Sequence, residues 1–177
     1  VEESKEWRQK YLLGHVYVDV EYLALPASVA ERLRKKAVEE GVSLEDYVLD
    51  RLLSEVDPPG RAFAYAEVAL ELLKAAEEEL EKGDLRQASE KAWGAAALAV
   101  KAYAYWREGV RLSSHGELWR YKDKIAGELG DWVHDAWNAA NAMHINFYEG
   151  WATAESVRQA LARVKRLVEE ITRRIKP

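Results

Sequence analysis

The sequence predicts an all-α protein: an antiparallel bundle of about five helices over residues 61–177, preceded by a short strand-helix-helix segment within residues 1–57. Two observations predict this class. Hydrophobic residues make up 49% of the 177-residue chain, yet it contains two Phe and one Met, so alanine, leucine and valine dominate and favour packed helices. Apolar residues also recur every three to four positions between helix-capping residues, which is the period of an amphipathic helix.

The N-terminal segment contains the only strand-like pattern in the sequence. Residues 15–25 are rich in β-branched and aromatic residues, and Pro26 ends the run. Residues 27–40 have the pattern of an amphipathic helix, Gly41 follows where a C-terminal cap is expected, and Ser43 precedes a second helical pattern. We therefore predict a strand, a helix, a tight turn and a second helix.

The motif Asp57-Pro58-Pro59-Gly60 separates this segment from the rest of the chain, because consecutive prolines cannot continue a helix. We place the domain boundary there. Glycines and side-chain caps then divide the remaining sequence into helices. The predicted helices are 61–82, 85–108, a short helix that Ser114 begins and Gly127 and Gly130 close, 131–147, and 154–175.

Residues 131–151 concentrate polar and aromatic side chains that could bind a ligand. On a helix most of these side chains fall on one side, while alanines and the methionine occupy the other. The polar and aromatic side is predicted to bind a ligand, and the side with the alanines and the methionine is predicted to pack against other helices. The predicted ligand-binding residues are His115, His134, Trp137, Asn138, Asn141 and Tyr148, and His144 is the candidate catalytic residue.

Each of these candidates also has a purely structural interpretation. His144 could be a hydrogen-bonded core residue, and His115 could be a capping or surface residue at a helix start. The asparagines could satisfy backbone groups between helices. The tryptophans Trp132, Trp137 and Trp151 could stack on a nucleobase or belong to the hydrophobic core.

Several classes of chemistry are disfavoured by what the sequence lacks. Without cysteine there is no disulfide or thiolate site. The sequence has no Gly-rich phosphate loop, G-x-S-x-G elbow or H-E-x-x-H pair. Asp131, His134 and Asn138 share a helix face but lack the further histidine ligands of a metal site. We therefore expect no metal and no cofactor.

Composition sets further expectations. A net charge of −5 disfavours a protein that coats nucleic acid through bulk electrostatics. No apolar run is long enough to span a membrane, and the N-terminus lacks the apolar core of a signal peptide, so we expect a cytoplasmic protein. Charged residues at 32% favour a thermophilic source.

The sequence YLALPASVAERLRKKAVEEGVSLEDYVLDRLL at 22–53 combines an L-P pair, a G-x-S turn and an apolar second helix. In these features it resembles the ribbon-helix-helix family. The resemblance implies a homodimer, in which the strands of two chains pair and their helices interlock. The segment would serve either as a dimerisation element or as a DNA-reading element.

Four sequence blocks follow one another in the second part of the chain: EKGD at 81–84, QASEKAWGAAALAVKAYA at 87–104, SSHGELW at 113–119 and HINFYEGW at 144–151. On these blocks the chain resembles the crenarchaeal PaREP family, a branch of the higher eukaryote and prokaryote nucleotide-binding (HEPN) superfamily. The resemblance implies a helical bundle that binds nucleic acid, a nucleotide or a protein. It also suggests a nucleotidyltransferase-like protein as a partner.

HEPN families include metal-independent endoribonucleases, whose motif is an arginine and a later histidine with four to six residues between them. The resemblance places His144 at the histidine position, whereas the arginine positions hold Trp137, Asn138 and Ala139. An arginine from elsewhere would have to hold the phosphate. The candidates near helix ends are Arg107, Arg111 and Arg120.

We therefore expect a non-catalytic HEPN-like module that binds RNA, a nucleotide or a protein partner and forms a homodimer through its N-terminal segment. The alternative is a metal-independent endoribonuclease in which His144 acts as general acid or base. A second alternative is a structural scaffold without a ligand.

Overall fold

The computed structural model describes residues 25–40, 42 and 44–175. The chain divides into two compact units, Val1–Glu31 and Arg32–Pro177, and all predicted site residues lie in the second. Seven α-helices and a 3-10 turn at Leu53–Glu55 occur in the described part of the chain, and no strand occurs there. The α-helices are α1 (Ala27–Glu40), α2 (Leu44–Leu52), α3 (Pro58–Lys82), α4 (Leu85–Glu108), α5 (His115–Leu129), α6 (Trp132–Glu149) and α7 (Ala154–Thr172).

The prediction of an all-α protein with a helical bundle is confirmed. Helix α1 has the predicted limits, 27–40. Of the predicted strand at 15–25, only Leu25 is described and it is irregular; the rest lies outside the described residues, as do Gly41 and Ser43. The strand-helix-helix segment and the domain boundary after residue 57 therefore stay predictions.

Helix α3 begins three residues earlier than predicted. Asp57 is its N-cap, and the Asp57 carboxylate accepts a hydrogen bond from Gly60 N at 3.1 Å. Pro58 and Pro59 form the first turn, where the backbone N–H groups have no partner within the helix and proline costs nothing. The motif that was predicted to interrupt the helices is thus the start of one.

Helix α4 lies at the centre of the bundle and contacts α3, α5, α6 and α7. Only Gly83 and Asp84 separate it from α3, so the two form a helical hairpin. Small side chains let the neighbouring helices approach closely. The buried small residues of α4 include Ala88, Ala92, Ala95, Ala96, Ala99 and Ala102.

Four other predicted limits differ from the structure. Helix α5 continues through Gly127 to Leu129, with Gly130 as its C-cap, because a glycine with space around it is tolerated inside a helix. Helix α6 begins at Trp132 instead of 131 and ends at Glu149 instead of 147, and α7 ends at Thr172 instead of 175. None of the described helices has the length and hydrophobicity that crossing a bilayer requires.

The turn between α6 and α7 is anchored by a buried amide. The Asn146 side chain is fully buried. Its Nδ2 donates to Ser89 Oγ of α4 at 2.8 Å, and its Oδ1 accepts from Ala152 N at 2.6 Å. Both ends of the amide are therefore satisfied, and the C-terminal end of α6 is held against the central helix.

Candidate functional site

Two histidines and two tryptophans from three helices pack around one another where α4, α5 and α6 meet. The ring centroid of Trp93 lies 4.8 Å from that of His115, 4.9 Å from that of His144 and 5.1 Å from that of Trp137. The two imidazole centroids are 5.4 Å apart. With two neighbours that contact His144, these residues form what we call the histidine cluster: Glu90, Trp93, His115, Trp137, His144 and Tyr148.

The start of α5 holds His115 in the cluster. Ser114 caps this helix with a capping box: Ser114 Oγ accepts from Glu117 N at 3.3 Å, and Glu117 Oε2 accepts from Ser114 N at 3.2 Å. His115 is the first residue of the helix. The reciprocal bonds fix the direction in which the helix begins, and thereby the position of the imidazole against Trp93.

Helix periodicity brings the three α6 members of the cluster to one side. Trp137, His144 and Tyr148 are spaced by two turns and one turn. Trp137 is fully buried, whereas Tyr148 is 65% exposed and its ring stands edge-on to His144 with centroids 5.5 Å apart. The cluster therefore runs from the core to the surface along one face of α6.

Burial keeps both imidazoles neutral near pH 7. It lowers the pKa of His115 below its usual value. Burial also lowers the pKa of His144, and a charge on the neighbouring His115 would lower it further. Glu90 Oε2 lies 4.0 Å from His144 Nδ1, which is beyond hydrogen-bond distance. Each neutral imidazole offers one donor and one acceptor nitrogen.

Three ring nitrogens of the cluster are buried without a hydrogen-bond partner among the described residues: His115 Nε2, Trp137 Nε1 and His144 Nδ1. Buried polar groups are usually paired, because an unpaired one costs about 1–3 kcal/mol. If the cluster served only for packing, these three nitrogens would be expected to have hydrogen-bond partners within the protein. The arrangement can donate and accept hydrogen bonds, and its imidazoles can transfer protons.

The structure brings four of the seven predicted residues together and separates the other three. His134 Nδ1 lies 2.8 Å from Lys122 Nζ and 3.6 Å from Asp123 Oδ1. Asn138 is exposed and lines a groove between α6 and α7, and Asn141 is half-buried. The polar side predicted for α6 is thus divided: Tyr148 lies in the histidine cluster, whereas His134 contacts Lys122 and Asn138 lines the groove.

The predicted arginines are mostly engaged elsewhere. Arg107 pairs with Glu128 at 3.3 Å, and the Arg111 guanidinium donates to Asp50. Arg120 is exposed on α5 and forms no ion pair with a described residue. Among the described residues, no group of three or more histidines and carboxylates could hold a metal ion.

Sequence reasoning missed two members of the cluster, Glu90 and Trp93. They lie one helical turn apart on α4, within the block QASEKAWGAAALAVKAYA. Their spacing on one helix face was visible in the sequence. Their proximity to the histidines was not, since it depends on how α4 packs against α5 and α6.

Fold and site together define an α-helical bundle protein with a histidine and tryptophan cluster at the junction of three helices. The model of the archaeal PaREP1/PaREP8 family matches residues 64–168, more than half of the 177-residue chain, and the chain belongs to this family. All members of the histidine cluster lie within the matched range. Comparisons with curated proteins and with solved structures found no match.

Proposed function

We propose that this PaREP1/PaREP8 protein is a HEPN-like module that binds single-stranded RNA at the histidine cluster without cleaving it. The observation that carries the proposal is that one cluster contains three buried ring nitrogens without a hydrogen-bond partner among the described residues, beside an exposed tyrosine. A ligand that satisfied these atoms would recover part of the cost of leaving them unpaired. The HEPN-like character rests on the sequence resemblance.

The chemistry of the cluster suits a nucleobase. Tyr148 presents an exposed ring on which any base could stack. The neutral imidazoles of His115 and His144 can each donate to and accept from the edge of a base. The buried Trp93 ring packs against both imidazoles, and the Trp137 ring packs against Trp93. His144 is 26% exposed, so its imidazole is close enough to the surface for a rotation of the ring to bring its nitrogen to a ligand.

Binding is favoured over cleavage because the cluster lacks a cation among its members. Cleavage of a phosphodiester requires stabilisation of the negative charge that develops on the phosphate. At the positions where the resemblance expects an arginine, Trp137 is fully buried and Asn138 lies at a different groove. A neutral amide also lacks the charge of a guanidinium clamp.

The test measures binding of a fluorescently labelled single-stranded RNA by anisotropy. We expect His144→Ala and His115→Ala each to weaken binding by about tenfold, which corresponds to about 1.4 kcal/mol. The matched control is His134→Ala, a histidine on the same helix as His144 that contacts Lys122 instead of the cluster. Circular dichroism checks that each variant is folded. Equal affinity of the two cluster variants and the wild-type protein would refute the proposal.

A second candidate function is metal-independent cleavage of RNA. The observation that favours it is the pair of neutral imidazoles with centroids 5.4 Å apart and a carboxylate 4.0 Å from one of them. One imidazole could accept the proton of the attacking hydroxyl while the other, once protonated, donates to the leaving oxygen. RNA incubated in chelator tests this. Cleavage that His144→Ala abolishes would establish the enzyme, and intact RNA would remove this candidate.

The proposed module is a homodimer joined through residues 22–53, as the ribbon-helix-helix resemblance implies. The described part of this segment exposes two large aliphatic side chains that the test replaces: Val38 is 78% exposed and Leu52 is 72% exposed. Single exposed apolar side chains are common on protein surfaces, so the proposal rests on the resemblance. We expect Val38→Glu with Leu52→Glu to convert a dimer into a monomer in sedimentation velocity. A wild-type monomer would refute dimerisation.

A further inference from the structure

A buried lysine connects α5 to α6 about two helical turns along α5 from His115. Lys122 is 6% exposed, and its Nζ lies 2.8 Å from His134 Nδ1 and 2.8 Å from Asp123 Oδ1. An ammonium group can only donate hydrogen bonds, so His134 Nδ1 is the acceptor in this contact. A protonated imidazole has no acceptor nitrogen. The contact between Lys122 and His134 therefore requires a neutral imidazole.

His134 can exchange protons with the solvent, because its side chain is 40% exposed. Histidine is the side chain that ordinarily gains a proton between about pH 8 and pH 5. His134 Nδ1 also lies 3.6 Å from Asp123 Oδ1, so a protonated His134 would compete with the Lys122 ammonium for a single carboxylate. Protonation thus places two cations beside one anion, and one of these cations is buried.

Asp123 is the one carboxylate in contact with His134 in the described part of the chain. The Lys122 ammonium lowers the pKa of the Asp123 carboxyl, so Asp123 is already charged when a histidine gains a proton. No charged side chain of α4 or α7 in the described ranges forms a hydrogen bond or an ion pair with His134. The same holds for the charged residues on or near the first turns of α6 and opposite them on α7: Glu128, Asp131, Asp135, Arg163 and Arg166.

The two helices that this contact joins also carry the histidines of the cluster. Helix α5 begins with His115 and contains Lys122, and α6 contains both His134 and His144. The imidazole centroids of His115 and His144 are 5.4 Å apart. Packed helices shift as largely rigid elements. A change in the spacing of α5 and α6 at Lys122 is therefore expected to change the contact between His115 and His144.

A row of tryptophan rings also links the lysine to the cluster. Lys122 Nζ lies 5.2 Å from the ring centroid of Trp119, which is within the range of a cation–π contact. The Trp119 ring stands edge-on to Trp137 at 5.8 Å, and Trp137 packs against Trp93 at 5.1 Å. Trp93 packs against both imidazoles of the cluster. A displaced Lys122 would therefore disturb the rings that position the histidines.

We propose that Lys122, Asp123 and His134 form a charge switch between α5 and α6, which holds His115 beside His144 while His134 is neutral and loosens this contact when His134 gains a proton. The switch is closed at neutral pH and opens as the pH falls. Repulsion between the two cations opens it, so a neutral residue at position 134 leaves Lys122 paired with Asp123 and the cluster in place. The switch does not depend on which ligand the cluster binds.

The first measurement is the tautomer of His134 in the full chain, determined by nitrogen NMR at about pH 7.5. We expect the single ring proton on Nε2, because Nδ1 accepts a hydrogen bond from Lys122. This tautomer would support the geometry on which the switch depends. A proton on Nδ1 would overturn the proposal.

The second measurement is amide hydrogen exchange at about pH 7.5 and about pH 5.5, corrected for the intrinsic effect of pH on exchange. In the wild-type protein we expect the protection of α5 amides to fall by about tenfold at the lower pH, the scale of one hydrogen bond to a charged group. Amides of the central helix α4 should lose less than about twofold. His134→Gln keeps an acceptor that cannot gain a proton, and Lys122→Met removes the second cation. Both variants should abolish the fall in α5.

The matched control is Lys124→Met, which removes an exposed lysine of α5 that pairs with Glu108 at 3.1 Å. This variant should retain the wild-type fall in protection. Circular dichroism verifies that each variant is folded. His134→Gln replaces a partly exposed side chain and decides the proposal by itself if Lys122→Met does not fold.

A fall confined to α5 that both switch variants abolish would support the charge switch. A fall that persists in His134→Gln would overturn it, because protonation of the cluster histidines themselves would then account for the change. An equal fall in α4 would overturn it too, since the whole protein would be losing stability. A wild-type protein whose α5 is equally protected at both pH values would also be inconsistent with the switch.

Discussion

Replacement of Lys101 by methionine tests a buried ion pair that joins α2 to the central helix α4. Lys101 Nζ lies 2.6 and 2.7 Å from the two carboxylate oxygens of Asp46. The two side chains are only 3% and 6% exposed. Methionine keeps most of the aliphatic stem of lysine, so the substitution removes the charge and leaves little cavity. The carboxylate of Asp46 then stays buried without its cation.

The expected cost follows from this burial. Removal of one partner of a buried ion pair typically destabilises a protein by about 3–5 kcal/mol, because the remaining charge is not compensated. The pair of Lys165 and Glu77 has a similar distance, 2.8 Å, but its side chains are 46% and 44% exposed. Lys165→Met should therefore cost less than about 1 kcal/mol and serves as the matched control.

The cost of Lys101→Met should also depend on pH. Burial raises the pKa of Asp46, and the ammonium of Lys101 opposes this rise. Without the ammonium the pKa rises further, so the folded variant binds a proton more readily than the unfolded chain does. Stability gained in this way is present at low pH and lost as the pH rises through the folded pKa. Lys101→Met should therefore lower the free energy of unfolding, relative to the wild-type protein, by more at about pH 8 than at about pH 5.

The assay is guanidinium denaturation followed by far-UV circular dichroism at both pH values. The double variant Asp46→Asn with Lys101→Met removes the stranded charge and should recover most of the lost stability. A double variant as unstable as Lys101→Met would refute the reasoning, because the cost could not then come from a buried carboxylate that has lost the Lys101 ammonium. Equal losses for Lys101→Met and Lys165→Met would refute it as well.

Three further predictions concern the site and its supports. Gly150→Ala should destabilise the protein by about 1–2 kcal/mol, because the glycine has a φ of 69° and a Cβ there would lie 2.6 Å from a neighbouring guanidinium. Ser114→Ala should cost about 1 kcal/mol through loss of the capping box that begins α5. The buried His144 should make stability fall as the pH drops below about 6.5, since a lowered folded pKa means that the unfolded chain binds the proton first. His144→Gln should reduce that fall in stability.

Denaturation curves check all three predictions. Gly127→Ala is the control for Gly150→Ala: it lies inside α5 with open space at its Cβ position and should be stabilising by about 0.5–1 kcal/mol. A stabilising Gly150→Ala would contradict the argument from the left-handed backbone. An unchanged stability of Ser114→Ala would show that the capping box contributes nothing. If wild type and His144→Gln had the same pH dependence between about pH 5 and 7, the burial argument would be wrong.

Local sequence predicted most helix ends correctly because capping is a local interaction. Gly83 and Gly109 end helices in the left-handed conformation, and Thr153 Oγ1 accepts from Ser156 N at the start of α7. The prediction was wrong at Pro58, since proline both ends a helix and suits the first turn of one. Only the path of the following chain distinguishes the two cases.

The residues of the candidate site were less predictable than the helices. His115, Trp137, His144 and Tyr148 were named from their residue type and position, and the structure places them together; their role stays a prediction. Glu90 was not named, because a glutamate on an amphipathic helix has no distinguishing pattern. Its position 4.0 Å from His144 arises only when α4 and α6 pack.

The sequence by itself determined that the chain forms α-helices, where most of them begin and end, and which side chains share one side of each helix. These properties depend on contacts within a few residues, namely capping bonds and a period of 3.6 residues per turn. The tertiary structure alone decided that the rings of His115 and His144 both pack against Trp93. It also decided that Asn138 lies in the groove between α6 and α7 and not in the histidine cluster. Such contacts join residues far apart in the chain, and they depend on the relative placement of whole helices, which no local pattern specifies.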